Sequence, residues 1–86
     1  MTTYTCPPHV KWVIDAQQTI VINEQSGEFA ILSDIDAMLW SWLTLNYSYK
    51  KLLTLISAIE MSQPEKLLRS TLQKWANAGL LLEREA

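Results

Sequence analysis

Few side chains in this sequence are spaced for chemistry. Cys6-Pro7-Pro8-His9 sets a thiol and an imidazole near each other in a proline-stiffened segment. They are the only Cys and His in the chain. Two ligands do not make a structural zinc site, and no carboxylate clusters with them. A lone cysteine cannot form an internal disulfide, and apart from His9 no base lies close in sequence to activate its thiol. Asp34 and Asp36 offer two carboxylates, which a helix N-terminus explains. Lys50 and Lys51 read as a solvated face. With two glycines in all, a Gly-rich phosphate loop is excluded. No nucleophile–base pair, phosphate loop or metal cluster is present, so the reading is of a protein that is not an enzyme and needs no cofactor.

The elements that must position any site are clear from periodicity. Residues 1–9 read as a flexible N-terminal tail, with Pro7 and Pro8 stopping regular structure. Val10 to Asp15 alternate as a half-buried strand, with Val10, Trp12 and Ile14 on one face and Lys11, Val13 and Asp15 on the other. A turn is expected at Ala16 to Gln18. A second strand follows at Thr19 to Asn23, with Ile20 and Ile22 sharing a face. Gln25, Ser26 and Gly27 form the next turn. Glu28 to Leu32 make a third strand, with Phe29 and Ile31 opposite Glu28, Ala30 and Leu32. Three strands joined by tight turns predict an antiparallel meander.

At Ser33 the period changes. Ser33 with Asp36 resembles a capping box. Ile35, Met38, Leu39, Trp42 and Leu43 then form the apolar stripe of a helix from about Asp34 to Leu45. Trp40 lies off that stripe and reads as a partly covered surface aromatic or a contact for a partner. Ser48 caps a second helix, buried through Leu52, Leu55, Ile56 and Ile59. Tyr47 and Tyr49 read as local packing around its start. Ser62, Pro64 and Glu65 start a third. Its apolar face is Leu68, Thr71, Leu72 and Trp75, and it runs to about Ala78. Gly79 stands at its C-terminal cap. Leu80 to Leu82 are a short apolar extension, and residues 83–86 a polar end. The expected fold class is α+β: a winged helix-turn-helix-like domain over residues 10–82, its three-stranded antiparallel sheet followed by three helices.

Composition agrees with one small folded domain. The chain has 86 residues, 49% of them hydrophobic and 19% charged. A domain this small is marginally stable alone, so a partner is expected. Net charge is −2, which disfavours a non-specific nucleic-acid binder. No signal peptide is visible at the N-terminus, and no apolar run reaches the ~20 residues that span a bilayer. A cytoplasmic protein without a membrane partner is expected.

One pattern spans almost the whole chain, roughly residues 10–82. It comprises the hairpin Thr19–Asn23, the turn ending in Gly27, Phe29 and Leu32, then Met38-Leu39-Trp40 ahead of Leu43. The Leu52 helix, Leu72, Trp75 and Gly79-Leu80-Leu81 complete it. It resembles the PqqD-like proteins, the peptide recognition elements (RiPP recognition elements) of pathways that modify ribosomally made peptides. The family often carries Leu-Asn-x-Thr where this chain has Leu32-Ser33-Asp34-Ile35. That difference bears on subfamily and pathway rather than on fold.

The resemblance implies a function. Such domains bind the leader segment of a precursor peptide and deliver it to a modifying enzyme, often a radical S-adenosylmethionine enzyme. The leader adds as a strand to the third strand, beside the third helix. On this chain that implies Glu28, Phe29, Ala30, Ile31 and Leu32 as the strand edge. Leu68, Thr71, Leu72 and Trp75 would form the helix face, with Arg69 and Lys74 as rim charges. Trp75 could line the groove or only cover the core, and Phe29 reads as core packing ahead of groove lining.

Two other functions compete. In a winged-helix DNA-binding regulator, Lys66, Arg69, Gln73, Lys74 and Asn77 would read the duplex, but the turn from Asn23 to Glu28 carries acids where such proteins need Lys or Arg. A structural accessory subunit would assemble with an enzyme without binding a leader. An unpaired strand edge also leaves a strand-paired or domain-swapped homodimer open.

Overall fold

The computed structural model describes residues 2–15 and 18–85. In chain order the elements are β1 (Thr2–Thr5), β2 (Val10–Asp15), β3 (Gln18–Asn23), β4 (Phe29–Ser33), α1 (Asp34–Thr44), α2 (Tyr49–Ile59), α3 (Pro64–Asn77) and β5 (Leu82–Glu85). The architecture is α+β. An antiparallel sheet in the order β2-β3-β4 is followed by three helices, and β1 and β5 form a separate antiparallel pair.

That second pair places Thr2–Thr5 and Leu82–Glu85 in strands, within the segments read as a flexible tail (1–9) and a polar end (83–86). Thr3 pairs with Arg84, Tyr4 with Glu83 and Thr5 with Leu82. The partners lie at opposite ends of the chain, so no local period could show the pairing. Tyr4 and Cys6, half-buried, pack against the core from this side. Pro7 and Pro8 do interrupt regular structure between β1 and β2. The turn expected at Ala16 to Gln18 lies outside the described residues except for Gln18, which already belongs to β3.

Register decides which face of the sheet is buried. Val10, Trp12 and Ile14 stand opposite Asn23, Val21 and Thr19, and Val21 and Thr19 stand opposite Ala30 and Leu32. Val10, Thr19, Val21, Asn23 and Leu32 are buried, so this face meets the helices. Ile22, Phe29 and Ile31 share the other face and are exposed. The strand expected to be half-buried at Val10 to Asp15 buries Val10 alone. It is an edge strand, and the helices reach only its first residues. Phe29, expected to pack in the core, is exposed for the same reason of register.

Two of the three helices, α1 and α3, are capped differently from what was expected. Ser33 is still the last residue of β4, with extended backbone, and its side chain makes no capping bond. The chain turns at Asp34, whose φ of +54° is left-handed. Asp tolerates that conformation better than most residues. Ser48 does cap α2, its Oγ accepting from the Lys51 N–H at 3.2 Å. At α3 the capping position is Gln63 rather than Ser62, and Pro64 opens the helix where its missing N–H costs nothing. Glu60 Oε1 accepts from the Ser62 and Gln63 amides instead. Gly79 follows α3 with φ +78°, as a helix-terminating glycine should.

The core is built where the sheet, α1 and α3 meet. Trp40 is 1% exposed, which corrects its reading as a surface aromatic. The buried stripe of α1 is Leu39, Trp40 and Leu43, rotated away from Met38, which is exposed. A short helix wedged between a sheet and two other helices is covered on a wider arc than one stripe. Trp40 lies edge-on to Trp12 (5.8 Å between centroids) and to Trp75 (5.4 Å). Three indoles therefore link β2, α1 and α3 in the edge-to-face geometry that aromatic quadrupoles favour.

Candidate functional site: the free edge of β4

The meander leaves β4 at a sheet edge. Which backbone groups that edge offers follows from two hydrogen bonds. The Asn23 N–H donates to the Glu28 carbonyl at 2.8 Å. In an antiparallel ladder bonded and non-bonded pairs alternate, so Val21–Ala30 and Thr19–Leu32 are also bonded pairs. On the other side of β3, the Glu24 N–H donates to the His9 carbonyl at 2.9 Å. This assigns Ile20 and Ile22 to β2, consistent with the first assignment. The backbones of Ala30 and Leu32 are therefore spent on β3. Those of Phe29, Ile31 and Ser33 point out of the sheet.

This narrows the expected edge of Glu28, Phe29, Ala30, Ile31 and Leu32. Glu28 precedes β4, and its N–H donates to Ser26 Oγ while its carbonyl accepts from Asn23. Phe29 and Ile31 carry the free donors and acceptors, and Ser33, which the sequence pattern did not single out, turns its N–H the same way, while its carbonyl stands at the N-terminal cap of α1. Alternation alone could have divided the strand this way, but not chosen which half faces outward.

The helix side needs a larger correction. Leu68, Thr71, Leu72 and Trp75 are all buried, so this face is core, not an open wall. Trp75 packs against Trp40. The indole Nε1–H groups of Trp40 and Trp75 are buried without a hydrogen-bond partner. Arg69 is exposed but held: its guanidinium meets Glu65 Oε1 at 2.7 Å, and its Nε–H donates to the Tyr49 hydroxyl at 3.2 Å. Those two partners, Tyr49 first, raise its pKa further and so keep it charged. The bond to Tyr49 marks the flank of α3 turned to α2. At 100° per residue, Leu67 and Lys74 lie on the opposite flank. Lys74 is exposed and makes no ion pair among the described residues.

The end of β3 fixes the sheet to α3. Asn23 is buried, and its Nδ2 donates to the Gly79 carbonyl at 2.8 Å. Its Oδ1 accepts from the Gln25 and Ser26 amides at 2.9 and 3.1 Å. One side chain thus shapes the β3–β4 turn and ties it to the C-terminal end of α3. Gly27 in that turn has φ +79°. Sequence reading placed the turn and the glycine, but not this bond across the fold.

The other candidates stay dispersed. Cys6 is half-buried, and burial pushes its thiol pKa up, away from a reactive thiolate. Lys51 sits over the Tyr47 ring at 4.1 Å. In the set read as able to contact DNA, Gln73 Nε2 donates to Asn77 Oδ1 at 3.0 Å and Arg69 is paired as above. Among the described residues, no helix is long and apolar enough to cross a membrane.

The sequence matches no family model and no curated protein. Its structure does match a solved one. That structure is TbiB1 in complex with the TbiA(beta) leader peptide, with a TM-score of 0.82 and 21% identity, over 90% of this chain and 93% of that chain. The two chains share a fold. It extends over nearly the full length of both, sheet and helices together.

Proposed function

We propose that this chain is a non-catalytic peptide-binding module. It recognises the leader segment of a ribosomally made precursor by strand addition to β4 and delivers it to a modifying enzyme. A radical S-adenosylmethionine enzyme is the class that the resemblance to PqqD-like proteins implies. One observation carries the reading. The outward backbones of Phe29, Ile31 and Ser33 lie on an unpaired edge, in the fold of a protein solved with a leader peptide. Exposed strand edges are ordinarily protected, because any extended chain can pair with them. A leader that pairs there gains main-chain hydrogen bonds, and its alternate side chains supply specificity. Lys74 stands on the flank of α3 away from α2 and suits an acidic leader residue, affecting chiefly on-rate and salt dependence.

The test exploits the alternation of the edge. Ile31→Pro removes an outward N–H and leaves the β3–β4 ladder intact, since edge positions tolerate proline. Fluorescence anisotropy of a labelled leader, taken from the precursor-like reading frame nearest this gene, should show saturable binding that Ile31→Pro weakens at least tenfold. Circular dichroism checks that the variant is folded. A leader carrying an ester in place of the amide that would bond Ile31 provides the same test on the peptide. Full affinity for both altered partners would refute strand addition at β4.

A further inference from the structure

The sheet face turned away from the helices is apolar. In register across the strands, Val13, Ile20 and Ile31 form one row, and Lys11, Ile22 and Phe29 a second. A third row, Asp15, Gln18 and Ser33, is polar. Val13 is 57% exposed, Phe29 64%, Ile31 58% and Ile22 39%. Small soluble domains seldom leave such a contiguous patch uncovered without a use for it. A second copy is a poor occupant. The three rows present nine residues in all, far short of the roughly 20–30 residues per side of a stable interface.

The occupant follows from the edge itself. Phe29 and Ile31 own both the free backbone groups of β4 and the outermost side chains of this face. Directly opposed residues of paired strands point to the same face, whichever way the incoming strand runs. A leader on β4 must therefore place one residue beside Ile31 and another beside Phe29, two positions apart, both on the outer face. They become the fourth members of the two apolar rows.

Resting on the strand-addition reading, we propose that the leader is recognised on both faces of its strand. Besides the residues it turns toward the helices, it carries an outward pair, spaced i and i+2, of β-branched or aromatic side chains. These complete the rows ending in Ile31 and Phe29, and the next outward position, beside Ser33, is polar.

A lysine scan along the same leader peptide tests this, read by anisotropy and by methyl NMR of the protein. Two positions two residues apart should each lose about fivefold or more in affinity on replacement by Lys. Binding of the unaltered leader should shift the methyl signals of Ile20 and Ile22, which lie on β3 next to the rows ending in Ile31 and Phe29, and each of those Lys peptides should shift them less. Ile22→Thr, a substitution that keeps strand propensity, should weaken the leader about threefold with the fold intact. If the leader binds and Ile31→Pro abolishes binding, but the outer methyls stay unshifted and only inward positions are sensitive, the outward pair is refuted while strand addition stands. If Ile31→Pro leaves binding unchanged, strand addition fails and the outward pair falls with it.

Discussion

Replacing Asn23 by alanine should destabilise the domain more than any other single polar truncation described above. The residue is 6% exposed, and its side chain makes three hydrogen bonds, one to the Gly79 carbonyl and two from the turn amides of Gln25 and Ser26. Gln25 and Ser26 are exposed, so water can replace the lost acceptor at modest cost. The Gly79 carbonyl loses its side-chain donor in a tighter place: a Cβ built on Gly79 would lie 3.0 Å from Asn23 Nδ2. Net hydrogen bonds are worth about 1 kcal/mol each, and an unsatisfied buried group costs about 1–3 kcal/mol. The sum is about 2–4 kcal/mol. For a domain of this size, each kcal/mol shifts Tm by roughly 4–8 °C, so Tm should fall by about 10–30 °C. Urea unfolding followed by tryptophan fluorescence reads the free-energy loss, because Trp40 and Trp75 are buried. Gly79→Ala provides a coupled control. Alone it should destabilise, through its positive φ and the close approach of Asn23. In the Asn23→Ala background the steric part should vanish, giving a non-additive cycle. A loss below about 0.5 kcal/mol for Asn23→Ala, or strict additivity in the cycle, would refute the reasoning.

Three further outcomes are expected. Trp75→Phe removes an unpartnered buried donor together with part of a ring, so chemical denaturation should show a loss under about 1.5 kcal/mol, against about 3–5 kcal/mol for Trp75→Ala. Asp34→Asn should be close to neutral in thermal melts, whereas Asp34→Val should cost about 1–2 kcal/mol, because a β-branched residue resists positive φ. The Cys6 thiol should react with iodoacetamide more slowly than a free cysteine at neutral pH. Because its folded pKa is raised, the associated stability is intact below the unfolded thiol's pKa and is lost as pH rises through the folded value. Cys6→Ala should flatten that alkaline loss in pH-dependent melts.

Much of the fold was legible because its signals are local. Alternation at Val10–Asp15, turn chemistry at Gln25–Gly27, the cap at Ser48, the proline at 64 and the glycine at 79 each act within a few residues. Their elements appear within a residue or two of where periodicity puts them. The edge strand of the candidate site was legible for the same reason. Its grouping into Phe29 and Ile31 against Ala30 and Leu32 follows from a period of two.

Burial was not legible, because it depends on what packs opposite. β3 turns Thr19, Val21 and Asn23 inward and Ile22 outward, an inversion that hydrophobicity along one strand cannot reveal. Both faces of this sheet are apolar enough to be core, and the helices choose one. The same choice closes Leu68, Thr71, Leu72 and Trp75 into the interior and draws Trp40 in with them. Long-range pairing lies equally beyond local pattern, as β1 with β5 shows. Local periods thus set the strands, helices and turns, since those depend on backbone sterics and neighbouring side chains. The exposed apolar face, the bond from Asn23 to Gly79 and the outward backbone of Ile31 arise only once distant segments compete for the same buried space.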